Sequence, residues 1–244
     1  MGNDSDNSAY AIKIEGLTKS FGGYRVLRGI DLKVKKGECL AVFGPNGAGK
    51  TTLIKVLATL SKPAKGTVQL AGMDIKNEAV NIRRRVGVIS HQTLLYDNLT
   101  AYENLKFYGK MYDVPNLEQR IIEVIEQVDL KNRLHDRVGS FSRGMQQRLS
   151  IARAILHNPA ILLMDEPETG LDLHASAKLG QLLKTLGSGE KTVFMTTHNL
   201  GLGLELSDRI MILHKGRIVY HDSTLNMKLP SLRESYNLYT RAEA

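Results

Sequence analysis

The chain has almost nothing with which to lock or anchor itself covalently. It contains a single cysteine, Cys39, so no intrachain disulfide can form, which fits a reducing compartment. Cys39 opens the apolar run Cys39-Leu-Ala-Val-Phe43 and is read as packing, not chemistry. No apolar run approaches the ~18 residues that would suggest a membrane span. The stretch Met1-Gly-Asn-Asp-Ser-Asp6 lacks the basic region and apolar segment of a secretory signal. Asp6 also stands where a myristoylation signal wants Ser or Thr. There is no internal repeat and no low-complexity segment. The expectation is a soluble globular protein, with a loose tail at residues 1–9. Its 244 residues suffice for one large domain or two modest lobes.

Charge is only mildly one-sided: 33 basic against 25 acidic side chains give +8. That balance suits nucleotides, nucleic acid or an anionic membrane surface, and does not choose among them; it also serves plain solubility.

The first third alternates with period two. Ile12 and Ile14, then Ile30, Leu32 and Val34, then Val68 and Leu70 are spaced by polar residues, which predicts antiparallel strands with one wet face. Cys39–Phe43 is continuously apolar, as a strand buried on both faces would be. A helix is predicted from Lys50 to about Leu60, a short one near Val80–Arg84, and a strand over Val86–Ser90. Helices follow near Ala101–Tyr112, Leu117–Val128 and Ser142–Leu156, punctuated by Pro115 and Pro159. Strand and helix then alternate: Ala160–Met164, His174–Leu186, Thr192–Thr196, Leu200–Leu206. A hairpin, Arg209–Leu213 and Arg217–His221, closes the unit, and 224–244 is weakly helical. The fold class is therefore α/β, with a helical insertion between the second and third parallel strands. No added domain is expected in the 21 residues from 224 to 244.

Gly44-Pro-Asn-Gly-Ala-Gly-Lys-Thr51 fits Gly-x4-Gly-Lys-Thr between a buried strand and a helix. Such a loop (Gly44, Pro45, Asn46, Gly47, Ala48, Gly49) curls its N–H groups toward phosphate oxygens, and the helix start beneath it, including Thr52, adds its dipole. Lys50 then reaches the β- and γ-phosphates and Thr51 holds Mg²⁺. The strand Ala160-Ile-Leu-Leu-Met delivers Asp165 as a second Mg²⁺ carrier, through water, and Glu166 as the base that polarises the attacking water. Gln92 follows the strand Val86–Ser90 and is read as sensing Mg²⁺ and the water. His198 follows Val193–Thr197 and is read as touching the γ-phosphate. Both stand after parallel strands, where ligands of α/β proteins gather.

One segment stays ambiguous on its own terms. Ser140-Phe-Ser-Arg-Gly-Met-Gln-Gln-Arg-Leu-Ser-Ile-Ala-Arg-Ala154 reads as a helix gripping nucleic acid, as an ordinary amphipathic helix, or as a helix start holding an anion.

The loop, Gln92, the Ser142-x-Gly144 helix start, the apolar-Asp165-Glu166 strand, Gly170-Leu-Asp172 and His198 together resemble the ATP-binding-cassette (ABC) ATPases over about residues 10–223. Lys50 and Asp165 stand 115 positions apart, with the helical lobe between them. The resemblance implies a P-loop NTPase core with a mixed sheet, an N-terminal antiparallel β subdomain, an inserted α-helical subdomain at about 95–158 and a helical tail at 224–244. It implies ATP and Mg²⁺ as bound groups, and ATP hydrolysis coupled to transport. It implies two cassettes meeting head to tail, so that Ser142 and Gly144 act in trans on the partner's γ-phosphate. Phe21 is placed to stack on adenine, with Tyr24 as substitute and a core position as the alternative.

The signature departs from Leu-Ser-Gly-Gly-Gln: Arg143 replaces a glycine, facing either solvent or phosphate, and Met145 replaces the amide. Arg148 and Arg153, further along the helix, are expected in surface or inter-lobe salt bridges. The Ser-Arg-Gly-Met variant, with Ser90-His-Gln-Thr-Leu-Leu-Tyr96 and Leu99-Thr-Ala-Tyr-Glu-Asn-Leu105, looks most like the ATPase subunits of haem exporters for cytochrome c maturation.

The partners implied are a second ATPase subunit and an integral membrane permease, without nucleic acid, at the cytoplasmic face of the membrane. The helical lobe and the Gln92 loop are the expected docking surface. The rival readings are a soluble ABC ATPase acting on nucleic acid or ribosomes, which usually carries two cassettes or a coiled coil, and a small-molecule kinase, which would not need the Ser142 helix start.

Overall fold

The computed structural model describes residues 9–90, 92–187 and 191–241. The expected tail therefore lies outside the described residues except for Ala9, as do the last three residues of the chain. The fold grows from two sheets. Strands β1 (Tyr10–Phe21), β2 (Tyr24–Lys35), β4 (Lys65–Leu70) and β5 (Met73–Asp74) form an antiparallel sheet in the order β2-β1-β4-β5. The alternating apolar residues share one face: Ile14 sits opposite Leu32 on one side and Val68 on the other, and all three are buried. β1 runs beyond its visible alternation because the pairing with β2 shifts between Ile14 and Leu17. Such a bulge breaks the period-two pattern, so only part of the strand is legible from sequence.

The second sheet holds β3 (Cys39–Phe43), β6 (Val86–Ser90), β7 (Ile161–Asp165), β8 (Thr192–Thr196), β9 (Arg209–His214) and β10 (Arg217–Ser223), in the order β10-β9-β3-β8-β7-β6. All its pairings are parallel except β9 with β10. Every residue of β3, β7 and β8 is buried, as expected for strands covered on both faces. Cys39 is among them, and burial, then the nearby Asp208 and Glu38 carboxylates, push its thiol up to about 12. It is packing.

Helix α1 (Lys50–Leu57) follows β3 and stops earlier than predicted, because Thr59 takes a left-handed φ of 61°. Short α2 (Ala79–Arg83) precedes β6. Between β6 and β7 lie α3 (Ala101–Met111), α4 (Leu117–Gln127) and α5 (Arg143–Ile155). α3 opens with a capping box, in which Thr100 Oγ1 accepts from the Glu103 N–H and the Glu103 carboxylate accepts from the Thr100 N–H. Then come α6 (Leu173–Gly187), α7 (Leu200–Leu206) and α8 (Leu229–Arg241). The three-helix insertion does not own a separate core. Leu105, Ile121, Ile125 and Leu149 belong to the same apolar cluster as Phe43, Met164 and Met195 on one face of the parallel sheet.

The expectation for the two arginines of α5 holds for Arg148, which pairs with the exposed Asp129 carboxylate at 3.3 Å, and needs correction for Arg153. Arg148 Nη1 donates to the Val128 and Asp129 carbonyls and to the Asp129 carboxylate, all within the insertion. Arg153 makes no salt bridge among the described residues. It is buried, donates to the Val88 carbonyl of β6 at 2.8 Å and lies over the Tyr108 ring. The β6 carbonyl sits beside the lobe where no carboxylate is available, so the contact that ties lobe to sheet is a hydrogen bond.

A second tie is His157, stacked on Tyr112 at 4.1 Å, with Nε2–H donating to the Val86 carbonyl. Burial, only partly offset by that bond, pushes His157 down from 6.5 to about 4. Above pH 6.5 the ring is neutral in both folded and unfolded chains and adds no pH dependence. Between 6.5 and about 4 the unfolded chain takes up a proton that the folded one refuses, so stability falls by up to about 1.4 kcal/mol per pH unit. His157→Phe keeps a ring against Tyr112 and removes this proton. Its urea midpoint should therefore drop less than that of the parent protein as pH is lowered through this window.

Candidate active site at the strand ends

The C-terminal ends of β3, β7 and β8 stand side by side, and the residues that follow them meet. Directly after β3, Gly44 and Pro45 turn the chain and Asn46 and Gly47 stand exposed. Ala48 and Gly49 then lead, buried, into α1. A methyl group on Gly44 would overlap the Leu213 carbonyl oxygen of β9, and one on Gly49 would meet Leu27 Cδ2 at 2.9 Å. Glycine is therefore what lets the loop lie against the sheet. The N–H groups of Gly47, Gly49, Lys50, Thr51 and Thr52 meet no backbone carbonyl among the described residues. They form a helix start rich in free donors, with no acidic residue in its first turn.

Lys50 is 5% exposed, and its Nζ donates to the Gly44 carbonyl at 2.7 Å and lies 3.4 Å from Glu166 Oε1. Glu166 Oε1 also lies 2.7 Å from His198 Nε2. The carboxylate can only accept in that contact, so Nε2 carries its proton there, and the 3.4 Å approach of Lys50 to the same nitrogen is proximity, not a second bond. A cation, a carboxylate and an imidazole from three different strand ends thus converge. Beneath them Asp165 Oδ1 accepts from Thr51 Oγ1 at 3.3 Å and from Thr196 Oγ1 at 2.8 Å. A hydroxyl and a carboxylate are the hard oxygen donors that suit Mg²⁺, and no group of three or more His, Cys, Asp or Glu forms a self-sufficient metal cage among the described residues. That combination fits a metal held jointly by one carboxylate, one hydroxyl and phosphate oxygens.

Asp165 is the last residue of β7, not the first beyond it, and the turn begins at Glu166, whose φ is 49°. Gln92 is not brought into this group. It is exposed after β6, its carbonyl accepts from the Ser90 hydroxyl at 2.6 Å, and its side chain makes no hydrogen bond to Lys50, Thr51, Asp165 or Glu166 among the described residues. Phe21 is 53% exposed at the end of β1, opposite Tyr24 and beneath Lys19 Nζ, which excludes a core position. Ser142 is the N-cap of α5, its hydroxyl accepting from the Met145 N–H at 3.3 Å, and among the described residues no hydrogen bond joins it to Lys50 or Glu166 of its own chain. Arg143 is exposed, as the solvent-facing expectation had it, and it also reaches the turn after β7. Its Nη2 donates to the Thr169 carbonyl at 3.4 Å, and its guanidinium lies so close to Gly170 that a Cβ there would meet Cζ at 2.6 Å. Asp172 caps α6 through the Ala175 N–H.

Sequence reasoning missed three supporting groups. Thr196 holds Asp165 and accepts from the Glu166 N–H at 3.2 Å. Buried Asn104 of α3 bonds both the N–H and the carbonyl of Tyr96 and so pins the loop that carries Gln92. Glu168 bonds Thr197. The signal for Thr196 and Thr197 was present as two hydroxyls ending an apolar strand just before His198; Asn104 carried none.

Comparison with known proteins agrees with this geometry. The profile of the family described as "ABC transporter" matches residues 27–169. The chain is 34% identical over 214 residues to the ABC transporter ATP-binding protein NatA of Bacillus subtilis (strain 168), covering 86% of this chain and 85% of that protein. It is 34% identical to the daunorubicin resistance ATP-binding protein DrrA3 of Streptomyces coeruleorubidus, covering 89% of this chain and 70% of that protein. Its fold superposes with a TM-score of 0.79 and 29% identity on a dimeric post-hydrolysis state of the ATP-binding cassette MJ0796 bound to ADP and Pi, covering 87% of this chain and 98% of that one.

Gly44→Ala should lower the melting temperature of the protein without nucleotide, because the Leu213 carbonyl belongs to the sheet and cannot retreat. Overpacking of this kind costs about 1–3 kcal/mol, or roughly 2–12 °C for a chain of this size, read in a thermal melt. The phosphate-loop sequence, the carboxylates at the neighbouring strand end and these relatives agree: the chain belongs to the ABC transporter family, as one of its ATP-binding, ATP-hydrolysing subunits.

Proposed function

We propose that this chain drives export through a separate membrane subunit, working as one half of a head-to-tail ATPase dimer at the cytoplasmic face of the membrane. The observation that carries the hydrolytic part is the convergence of Lys50, Glu166 and His198 above the Thr51–Asp165 pair. The donors of the Gly44–Thr52 segment and the Lys50 ammonium bind the phosphates. Glu166 takes a proton from the attacking water, and His198, bonded to Glu166, fixes the carboxylate's direction toward it. Thr51, Asp165 and Gln92 would hold Mg²⁺, which when bound neutralises charge on the phosphates. For Gln92 this requires the loop pinned by Asn104 to move inward. Phe21, exposed and beside Tyr24, stacks on adenine.

No helix among the described residues is long and apolar enough to cross a membrane, which supports a separate permease. Its docking surface is read at the lobe, where Leu94, Tyr96, Phe107 and Met111 are each about half exposed and the Tyr96, Phe107 and Tyr108 rings pack together beside the Gln92 loop. That is an apolar patch of interaction type. The outward direction is supported by the relative named for daunorubicin resistance. Haem as cargo rests on the Ser142-Arg-Gly-Met145 variant together with the stretches 90–96 and 99–105.

Glu166→Gln should keep ATP binding and lose turnover by roughly 10²–10⁴-fold, and size-exclusion chromatography with ATP should show a trapped dimer. A variant that stays active and monomeric overturns the role of Glu166. The trans role of Ser142 and Gly144 has its own test. Ser142→Arg spoils only the helix start offered to the partner, and Lys50→Ala spoils only the chain's own loop, so each variant alone should be inactive. Mixed, they should recover up to about half the activity per mixed dimer if the sites work independently. The measurement is phosphate release against mixing ratio, after crosslinking has shown that mixed dimers form. Mixed dimers no more active than either parent count against the trans arrangement.

A further inference from the structure

Glu168 is an acid where the fold has no evident need of one. It follows Glu166 and buried Pro167 on the turn that leaves β7, yet its side chain points inward. One carboxyl oxygen, Oε1, accepts from the Thr197 hydroxyl, and the other, Oε2, is shielded from solvent with no hydrogen-bond partner among the described residues. Burial pushes its carboxyl up from the usual range, against the pull of the Thr197 bond, and the Glu166 carboxylate adds to the rise. Placing a carboxyl here is costly, so the contact it makes bears on what that cost sustains.

Thr197 is wholly buried, and its hydroxyl works in two directions. It donates to Glu168 and accepts from the Asn199 N–H at 2.9 Å, while the Asn199 side chain caps α7 by accepting from the Leu202 N–H. The bond therefore joins two turns that leave neighbouring strands. One turn carries Glu166 two residues before Glu168, and the other carries His198 next to Thr197. Those are the two side chains that meet at 2.7 Å over Lys50. The β7–β8 ladder aligns the strands as far as Asp165 opposite Thr196, and the Glu166 N–H still reaches the Thr196 carbonyl at 3.0 Å; past that bond no backbone hydrogen bond joins the two turns among the described residues.

Resting on the catalytic reading of Glu166 and His198 given above, we propose that Glu168, through Thr197, is a positioning residue that sets His198 against Glu166 for ATP hydrolysis. Misplacing a catalytic group by about 1 Å costs up to 10²-fold in rate, so the clamp acts on turnover and not on nucleotide affinity, which belongs to the loop and Lys50.

The test is steady-state phosphate release by the full chain, with kcat and KM for ATP determined separately. Glu168→Ala and Thr197→Val should each lower kcat roughly 10-fold with KM held within about two-fold, and the double variant should be no slower than either single one. Thr197→Ser, which keeps the hydroxyl, should recover at least half of kcat; because Ser and Val differ at the same buried position, this comparison stands even if Glu168→Ala does not fold. Wild-type kcat in Thr197→Val, losses that multiply in the double variant, or a raised KM at constant kcat would overturn the proposal. Glu166→Gln and His198→Ala serve as references. If both retain turnover, the catalytic reading itself has failed; if both lose it while the clamp variants do not, only the clamp has.

Discussion

The site depends on one alignment, the parallel register of β7 with β8 and of β8 with β3. Asp165 stands opposite Thr196, and Thr196 opposite Val42, two residues before Gly44. In that register the Thr196 hydroxyl reaches Asp165, the Glu166 N–H reaches Thr196, and the turns that follow deliver Glu166 and His198 to Lys50. A slip of one residue would send each side chain to the opposite face of the sheet. The slip is opposed by the burial of every side chain in these strands, since a fully buried Val, Leu, Ile, Phe or Met contributes about 1.5–3 kcal/mol. The packing of the sheet and the geometry of the site are thus the same constraint seen from two ends.

The helical insertion is coupled to that sheet by a small number of specific contacts laid over shared apolar packing. Arg153 and His157 both reach β6 carbonyls, at Val88 and Val86, and His157 also stacks on Tyr112. Both ties end on a backbone carbonyl, so buried Arg153 is held there without a carboxylate. Arg143 adds a link of another kind, from the start of α5 to the turn at Thr169 and Gly170. The segment read as meeting the partner's nucleotide is thereby attached to the turn that follows the chain's own Glu166.

What the sequence determined by itself was the inventory and order of parts. Periodicity two marked the antiparallel sheet, continuous apolar runs marked the parallel strands, and Gly44–Thr51 with Asp165-Glu166 named the chemistry, because each depends on residues adjacent in the chain. Element ends were legible only to within a few residues: α1 stops early at the left-handed Thr59, and β1 continues past a bulge that hides its alternation. Only the tertiary structure decided which distant groups meet. That Thr196 holds Asp165, that Asn104 pins the loop before α3, that Arg153 bonds a carbonyl instead of a carboxylate, that Gln92 stands apart and that Glu168 turns inward to Thr197 all follow from strand order and register. Those are long-range pairings, to which a local pattern of hydrophobicity and charge is blind.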